Sequence, residues 1–234
     1  MVDYTASLKK PFLDIKNLLI GVLLSIFPII QWFSLGYALE CTGLTKRKVP
    51  LNKSPNWTDW GKLFANGFLT VAISIIYFLP ALVIFLIGFA SVLAAILRVV
   101  NFTDFITGNQ AAISQAISQN VASIMPNLVF AVPFLVIAVL FVVLAAYVVQ
   151  SAILNFLAYN SFGKAFAFGE VFRRAFTGKY FVAWILVCLI SLVAILIFNW
   201  IPWVGPAVMY FTANVISYTI FGQVYKELPL KKSK

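Results

Sequence analysis

Few residues in this chain of 234 could carry catalytic or metal chemistry. There is no histidine, which excludes histidine-based triads, histidine-ligated metals and histidine proton relays. Cys41 and Cys188 are the only cysteines, too few for a thiolate zinc site, and their different segments predict no disulfide. No Walker-type loop, Gly-x-Ser-x-Gly elbow or dinucleotide fingerprint occurs. We therefore predict a protein that is not an enzyme and has no cofactor or metal.

The polar groups available inside apolar segments are amides and hydroxyls. The amides are Gln31, Gln150, Asn155, Asn214 and Gln223. Such groups more often form hydrogen bonds between membrane helices, worth roughly 0.6 kcal/mol each, than bind a substrate. No acidic residue lies in the middle of an apolar run, which disfavours proton-coupled transport.

Three residues ahead of the second apolar run are candidates for a structural or interface role. Trp57 and Trp60 carry the amphipathic rings that prefer membrane interfaces, and Asp59 is favourable beside a helix N-terminus. The spacing predicts that they fix the start of a helix at the inner membrane surface. Our hypothesis is that this element packs against the preceding apolar segment.

Three further candidates interrupt or end apolar runs. Pro28 breaks the first run, because proline cannot continue the helical hydrogen-bond ladder. Pro202 belongs to a predicted tight turn over 199–206, which would make the last two spans antiparallel neighbours. Arg98 is the charge deepest in a long run, and we expect it to extend to the outer surface near Asp104.

Composition and segment length identify the elements that must hold these residues. The chain is 62% hydrophobic and 10% charged, with a mean hydropathy of +0.99, whereas soluble domains have roughly a quarter charged residues. A helix needs about 20 apolar residues to span hydrocarbon. These features predict an all-α, polytopic transmembrane helical bundle forming one membrane domain over 1–234. Its predicted spans are 63–98, 127–158, 181–199 and 205–225.

Charge bias assigns the sides of the membrane. The N-terminal segment, the 40–62 and 159–180 loops and the C-terminal tail are basic, so the positive-inside rule places them in the cytoplasm of a multi-pass cell-membrane protein. The segment 18–39 then has both ends inside. We favour a re-entrant hairpin there, and the alternative is a full crossing that gives five spans. Residues 1–17 are predicted to lie at the interface.

The segment 101–126 contains no basic residue and is predicted to be external. Ile113, Ile117, Val121 and Ile124 recur at helical spacing, which predicts an uncharged amphipathic helix on the outer face.

A pattern of residues spread over most of the chain, except 101–126, matches a known family. Its members are Pro11, Phe12, Asp14, Lys16, 18–21, 27–29, Gly36, Tyr37, Leu51, 57–67, Ile76, Tyr77, Pro80, Ile201, Pro202 and 221–225. The run from Trp57 to Gly67 is the most specific part. In these residues the chain resembles a prokaryotic, largely archaeal family of multi-pass membrane proteins, the domain of unknown function 4013. The resemblance implies a multi-pass fold and supplies no catalytic residue.

These observations predict a non-enzymatic scaffold or accessory protein, or a lipid-associated protein. The alternative is a transporter or channel component built around the broken first segment. The net charge of +10 is explained by membrane topology and binding of anionic lipid head groups at the cytoplasmic face, so no nucleic acid is expected. A protein partner or a second copy of the chain is also possible.

Overall fold

A computed structural model describes residues 2–198, 200–202 and 204–228, and these residues form helices joined by short turns and one longer loop. Within this described part, four helices are long and apolar enough to cross a membrane, which confirms the predicted all-α, polytopic fold class. In chain order the α-helices are α1 Tyr4–Lys9, α2 Ile15–Ser25, α3 Gln31–Glu40, α4 Trp60–Val99, α5 Phe102–Thr107, α6 Gln110–Gln119, α7 Val121–Tyr159, α8 Phe168–Ala175, α9 Gly178–Phe198 and α10 Val204–Glu227. Short 3-10 helices cover Lys10–Phe12 and Phe162–Phe166.

The four candidate spans coincide with the long predicted segments. The predicted 63–98 lies within α4, 127–158 within α7 and 205–225 within α10, while α9 corresponds to 181–199. Asn199 and Trp203 of the predicted outer turn, and the lysines of the tail after 228, lie outside the described residues.

The first apolar segment is broken around Pro28. Asp14 caps α2 by accepting hydrogen bonds from the backbone N–H groups of Lys16 and Asn17 at 3.0 and 3.2 Å. Residues 26–30 then form a turn before α3 begins. With 11 and 10 residues, α2 and α3 are each roughly 15 Å long, about half of a bilayer core. Ser34 Oγ donates to the Gly21 carbonyl at 2.7 Å, so the two short helices fold back on each other, as a re-entrant hairpin requires. Four long candidate spans lie among the described residues, and the choice between a re-entrant hairpin and a fifth crossing stays a prediction.

Contacts divide the chain into two compact units. Unit 1 comprises 1–74 and 147–234, and unit 2 comprises 75–146. The helices α4 and α7 contribute to both, so the assignment of 1–234 to a single domain stays a prediction.

Unit 1 is organised around α10, which contacts α1, α2, α3 and α9. α9 and α10 are antiparallel neighbours, as predicted, because Lys179 pairs with Glu227 at one end and Phe198 approaches Gly205 at the other. α3 crosses α4 with the two backbones in contact. A Cβ on Gly36 would overlap the Leu63 carbonyl, so only glycine permits this approach.

Unit 2 is a pair of antiparallel helix segments joined through α5 and α6. Small residues at intervals of seven face inward: Ala81, Gly88 and Ala95 on α4, and Ala131, Ala138 and Ala145 on α7. Gly88 lies beside Ala131 and Phe134. A seven-residue repeat keeps one seam facing the partner helix, and small side chains let membrane helices approach closely.

The predicted outer-face helix is interrupted. α6 ends at Gln119, and Val121 and Ile124 belong to the first turn of α7 instead of continuing the stripe of Ile113 and Ile117. The physical reason is Asn120, whose side-chain amide donates to the Ala116 carbonyl at 2.8 Å and competes with the backbone ladder.

Candidate functional site

The basic segments of unit 1 converge on one surface, which we call the basic end. The backbone N–H of Asp3 donates to Gln223 Oε1 at 2.8 Å, which ties the N-terminal segment to α10. Lys179 Nζ lies 2.8 Å from Glu227 Oε2, and Arg174 Nη1 donates to the Leu228 carbonyl at 3.1 Å. These contacts join the N-cap of α1, α8, the start of α9 and the end of α10 into one polar layer.

The aromatic element before α4 lies against the α2–α3 hairpin. The Trp57 ring stacks on Tyr37 with centroids 4.3 Å apart, and its Nε1 donates to the Asn17 carbonyl at 3.3 Å. Trp60 meets Phe33 edge-on at 5.6 Å. The two tryptophans thus contact both helices of the hairpin. The aromatic contacts contribute about 0.5–1.5 kcal/mol per pair beyond burial.

Asp59 fixes the start of α4. Its backbone adopts a φ of 60°, and its carboxylate accepts a hydrogen bond from the Lys62 N–H. Arg47 Nη2 lies 3.9 Å from the same carboxylate and donates to the Thr58 carbonyl at 2.7 Å. This arrangement holds the loop before α4 in a defined path.

A buried carboxylate connects the end of α3 with α4. The Glu40 side chain is 0% exposed, and its Oε1 lies 3.2 Å from Lys62 Nζ. Thr45 Oγ1 donates to the other carboxylate oxygen. Because an unpaired buried charge costs several kcal/mol, the Lys62 cation offsets the cost of burying the Glu40 carboxylate.

The ammonium group of Lys10 is buried and forms hydrogen bonds with backbone carbonyls of the loop after α3. Lys10 is 1% exposed, and its Nζ donates to the carbonyls of Pro50, Leu51 and Lys53. Burial lowers the pKa of Lys10 from its ordinary value of 10.5, and the nearby Lys226 lowers it further. This side chain anchors the loop to the N-terminal segment and is withdrawn from the surface.

Arg174 is the second buried cation among the described residues. It is 6% exposed, and its guanidinium lies 3.8 Å from the centre of the Tyr225 ring. The Tyr225 hydroxyl donates to Asn155 Oδ1 at 2.9 Å, so α8, α10 and α7 meet at this cluster. Adjacent Arg173 is exposed, which gives α8 one buried and one surface cation.

The remaining cations form the outer surface of the basic end. They are exposed, and none forms an ion pair within the described part of the chain: Lys9, Lys16, Lys46, Lys48, Lys53, Lys164 and Arg173. The acidic residues of unit 1 are mostly buried or half-buried; only Asp3 and Asp59 are exposed. Exposed cations therefore outnumber exposed carboxylates on the described surface of unit 1.

Pro28 and Pro202 lie in turns, and Arg98 ends a helix segment of unit 2. Pro28 is exposed in the turn between α2 and α3, and Pro202 is exposed between α9 and α10, where its carbonyl accepts from the Val204 N–H at 2.7 Å. Arg98 is exposed in the last turn of α4, where a cation is favourable for the helix dipole.

Sequence reasoning missed the buried roles of Lys10, Glu40 and Arg174. Glu40 directly follows an apolar run, which is a weak signal of burial. For Lys10 and Arg174 the local sequence gives no signal, because their partners lie some 40 to 54 residues away.

One comparison with known proteins gives a match. A family model described as "Protein of unknown function (DUF4013)" matches residues 19–203. No curated protein and no solved structure matches the chain.

Proposed function

This chain belongs to the DUF4013 family of proteins of unknown function, and from that premise we propose that it is a non-enzymatic membrane protein that binds anionic lipid head groups. The proposed binding surface is the basic end of unit 1. The family match confirms the resemblance found in the sequence and supplies no activity, so the proposal depends on the geometry of this surface.

The observation that carries the proposal is that unit 1 exposes its cations more than its carboxylates. The unit buries or half-buries most of its carboxylates, while seven cations stay exposed without an ion-pair partner among the described residues. Each Lys or Arg near an anionic membrane surface contributes about 1 kcal/mol to lipid attraction. Such an excess of surface cations is suited to phosphate-bearing head groups.

Exposed apolar side chains beside these cations support a position at the membrane surface. In α8 and the residue that follows it, Phe168, Phe172 and Phe176 recur every four residues and are exposed, and Arg173 lies between them in the sequence. A stripe of aromatic side chains flanked by cations is typical of helices that lie in the head-group region. By the positive-inside rule, we place this end at the cytoplasmic side of the cell membrane.

The test uses the full chain in nanodiscs of equal parts phosphatidylglycerol and phosphatidylcholine, followed by native mass spectrometry of the retained lipids. We expect the wild type to retain phosphatidylglycerol preferentially. The triple variant Lys46→Gln/Lys48→Gln/Lys53→Gln should lose at least about tenfold of that preference, since three surface charges are removed.

Arg98→Gln is the matched control, because it removes an exposed cation in unit 2. We expect its lipid preference to equal that of the wild type. Equal retention of both lipids by the wild type, or an unchanged preference in the triple variant, would exclude the basic end as the binding surface.

The other predicted roles give different results in the same measurement. A protein retained at fixed stoichiometry would favour a scaffold or accessory role, and a second copy of the chain would favour a homo-oligomer. The transporter or channel alternative requires a polar path through the helices and is tested by solute uptake into vesicles.

A further inference from the structure

A cavity of about 250 Å³ lies among α7, α9 and α10 of unit 1. Ser191 on its wall is roughly 18 Å along α9 from Lys179, so the cavity lies at the depth of the apolar helix segments and not at the basic end. The polar side chains that line it are Gln150, Ser191, Tyr210, Asn214, Ser217 and Tyr218.

One polar atom of this lining is not satisfied internally. Gln150 Oε1 is buried and has no hydrogen-bond partner within the described residues. Elsewhere on α10 the hydroxyls of Thr212 and Thr219 donate to backbone carbonyls one turn earlier, at 2.7 and 2.6 Å. A buried acceptor without a donor destabilises the fold, so an occupant that donates a hydrogen bond to Gln150 would be stabilised.

The lining also restricts the charge of an occupant. Val187, Ile195, Met209 and Ala213 complete the wall, and neither Lys, Arg, Asp nor Glu contributes to it among the described residues. A charged ligand would lose its hydration here without gaining a counter-charge. Hydroxyl groups both donate and accept hydrogen bonds, which matches the combination of a bare amide oxygen with serine and tyrosine hydroxyls.

We propose that this cavity binds an uncharged, hydroxyl-bearing group of glycerol size. Since a water molecule occupies about 30 Å³ of liquid volume, the cavity has room for such a group. The group can belong to a free polyol or to the glycerol end of a neutral lipid. The site is separate from the basic end and does not depend on the proposed binding of anionic lipids.

The test is native mass spectrometry of the full chain in a mild detergent, titrated with 1-monooleoylglycerol and with methyl oleate. The two probes share an acyl chain, and only the first has free hydroxyls. We expect one monooleoylglycerol to bind and methyl oleate to bind at least about tenfold more weakly. Displacement by free glycerol identifies a free polyol as a ligand, whereas lack of displacement identifies the neutral lipid.

Gln150→Leu should weaken monooleoylglycerol binding about tenfold, which corresponds to about 1.4 kcal/mol. Ser191→Ala is a smaller change, with an expected loss of about threefold, and it decides the outcome if Gln150→Leu does not give folded protein. Gln31→Leu is the matched control, because Gln31 lies on α3 outside the cavity lining, and it should leave binding unchanged. Equal binding of the two probes, or unchanged binding in the folded cavity variants, would overturn the proposal and indicate a cavity filled by water only.

Discussion

Unit 1 and unit 2 are held together by different kinds of contact. Unit 1 uses buried charges, stacked aromatic rings and a backbone-to-backbone helix crossing at Gly36. Unit 2 uses small side chains repeated every seven residues, with large apolar side chains such as Phe85 and Phe89 left exposed. α4 and α7 each contribute to both units, so each of these helices is packed differently in its two parts.

The two kinds of contact differ in how many substitutions they tolerate. A heptad of small residues lets two helices approach, but many apolar sequences have that property. In contrast, few residues can replace Lys62 beside the buried Glu40 carboxylate. Few can replace Gly36 where it contacts the Leu63 backbone. We therefore expect substitutions in unit 1 to be much more damaging than matched substitutions in unit 2.

The largest difference is expected between Gly36→Ala and Gly88→Ala. The new Cβ at 36 would overlap the Leu63 backbone, whereas at 88 it would lie 3.0 Å from Phe134 Cβ and 3.3 Å from the Ala131 carbonyl oxygen. We expect losses of about 3 kcal/mol or more and of about 1 kcal/mol, respectively. The midpoint of thermal unfolding in one detergent measures both effects.

Gly61→Ala serves as the control for the glycine pair, because nothing lies within 4 Å of the place that its new Cβ would occupy. It should be neutral or slightly stabilising. Equal losses at 36 and 88 would show that the α3–α4 crossing is no tighter than the seam of unit 2.

The second test removes one half of the buried ion pair. Lys62→Met leaves the Glu40 carboxylate without its cation, and we expect a loss of about 3 kcal/mol in the free energy of unfolding. The double variant Glu40→Gln/Lys62→Met should recover part of this loss. Arg98→Gln in unit 2 should stay within about 0.5 kcal/mol of wild type. A double variant as unstable as the single one would contradict this account.

The third test compares aromatic side chains. Trp57→Ala removes a stacked, half-buried ring and its hydrogen bond, with an expected cost of about 2 kcal/mol. Trp60→Ala should cost about 1 kcal/mol, since Trp60 is 44% exposed. Phe89→Ala in unit 2, exposed to a similar extent, should cost less than either. Membrane yield and thermal stability report on all three, and unchanged values for both tryptophan variants would refute the role of this element.

The smallest effect concerns Lys10 and alkaline pH. Its pKa is lowered in the folded protein, so the unfolded chain binds the proton more tightly between the lowered pKa and 10.5. The stability contributed by this group is fully present above pH 10.5 and is lost as pH falls through the lowered pKa. The free energy of unfolding, measured across this window, should increase with pH in the wild type. The increase should be absent in Lys10→Met and present in Lys9→Gln. An identical slope in the Lys10 variant would assign it to other groups.

The sequence predicts the long helices and the break at Pro28 because both depend on local properties. Apolar length sets a span, and proline interrupts the ladder wherever it occurs. The capping position of Asp59 follows from the same local reasoning. The stripe of Ile113, Ile117, Val121 and Ile124 predicts a helix that the structure interrupts at Asn120, because the Asn120 side chain bonds to the Ala116 carbonyl and periodicity does not reveal this contact.

The interior of unit 1 is beyond sequence reasoning for a different reason. The carbonyl groups that Lys10 contacts belong to residues about 40 positions later in the chain, and Gly36 packs against the backbone of Leu63 in another helix. These pairings depend on the three-dimensional crossing of helices and not on a repeat along the chain. The sequence identifies Trp57 and Trp60 as interface residues, whereas their ring partners on α3 follow only from the fold.

The link between Asp3 and Gln223 has a consequence for biosynthesis. The two residues are separated by 220 positions, so the ribosome completes nearly all of the described chain before α1 can meet α10. The α4–α7 pair of unit 2 needs only the residues between them and can associate as soon as α7 is inserted. Until α10 arrives, α2 and α3 lack the helix that contacts them both, and nascent intermediates in this interval would be natural clients for insertion chaperones and for quality-control proteases.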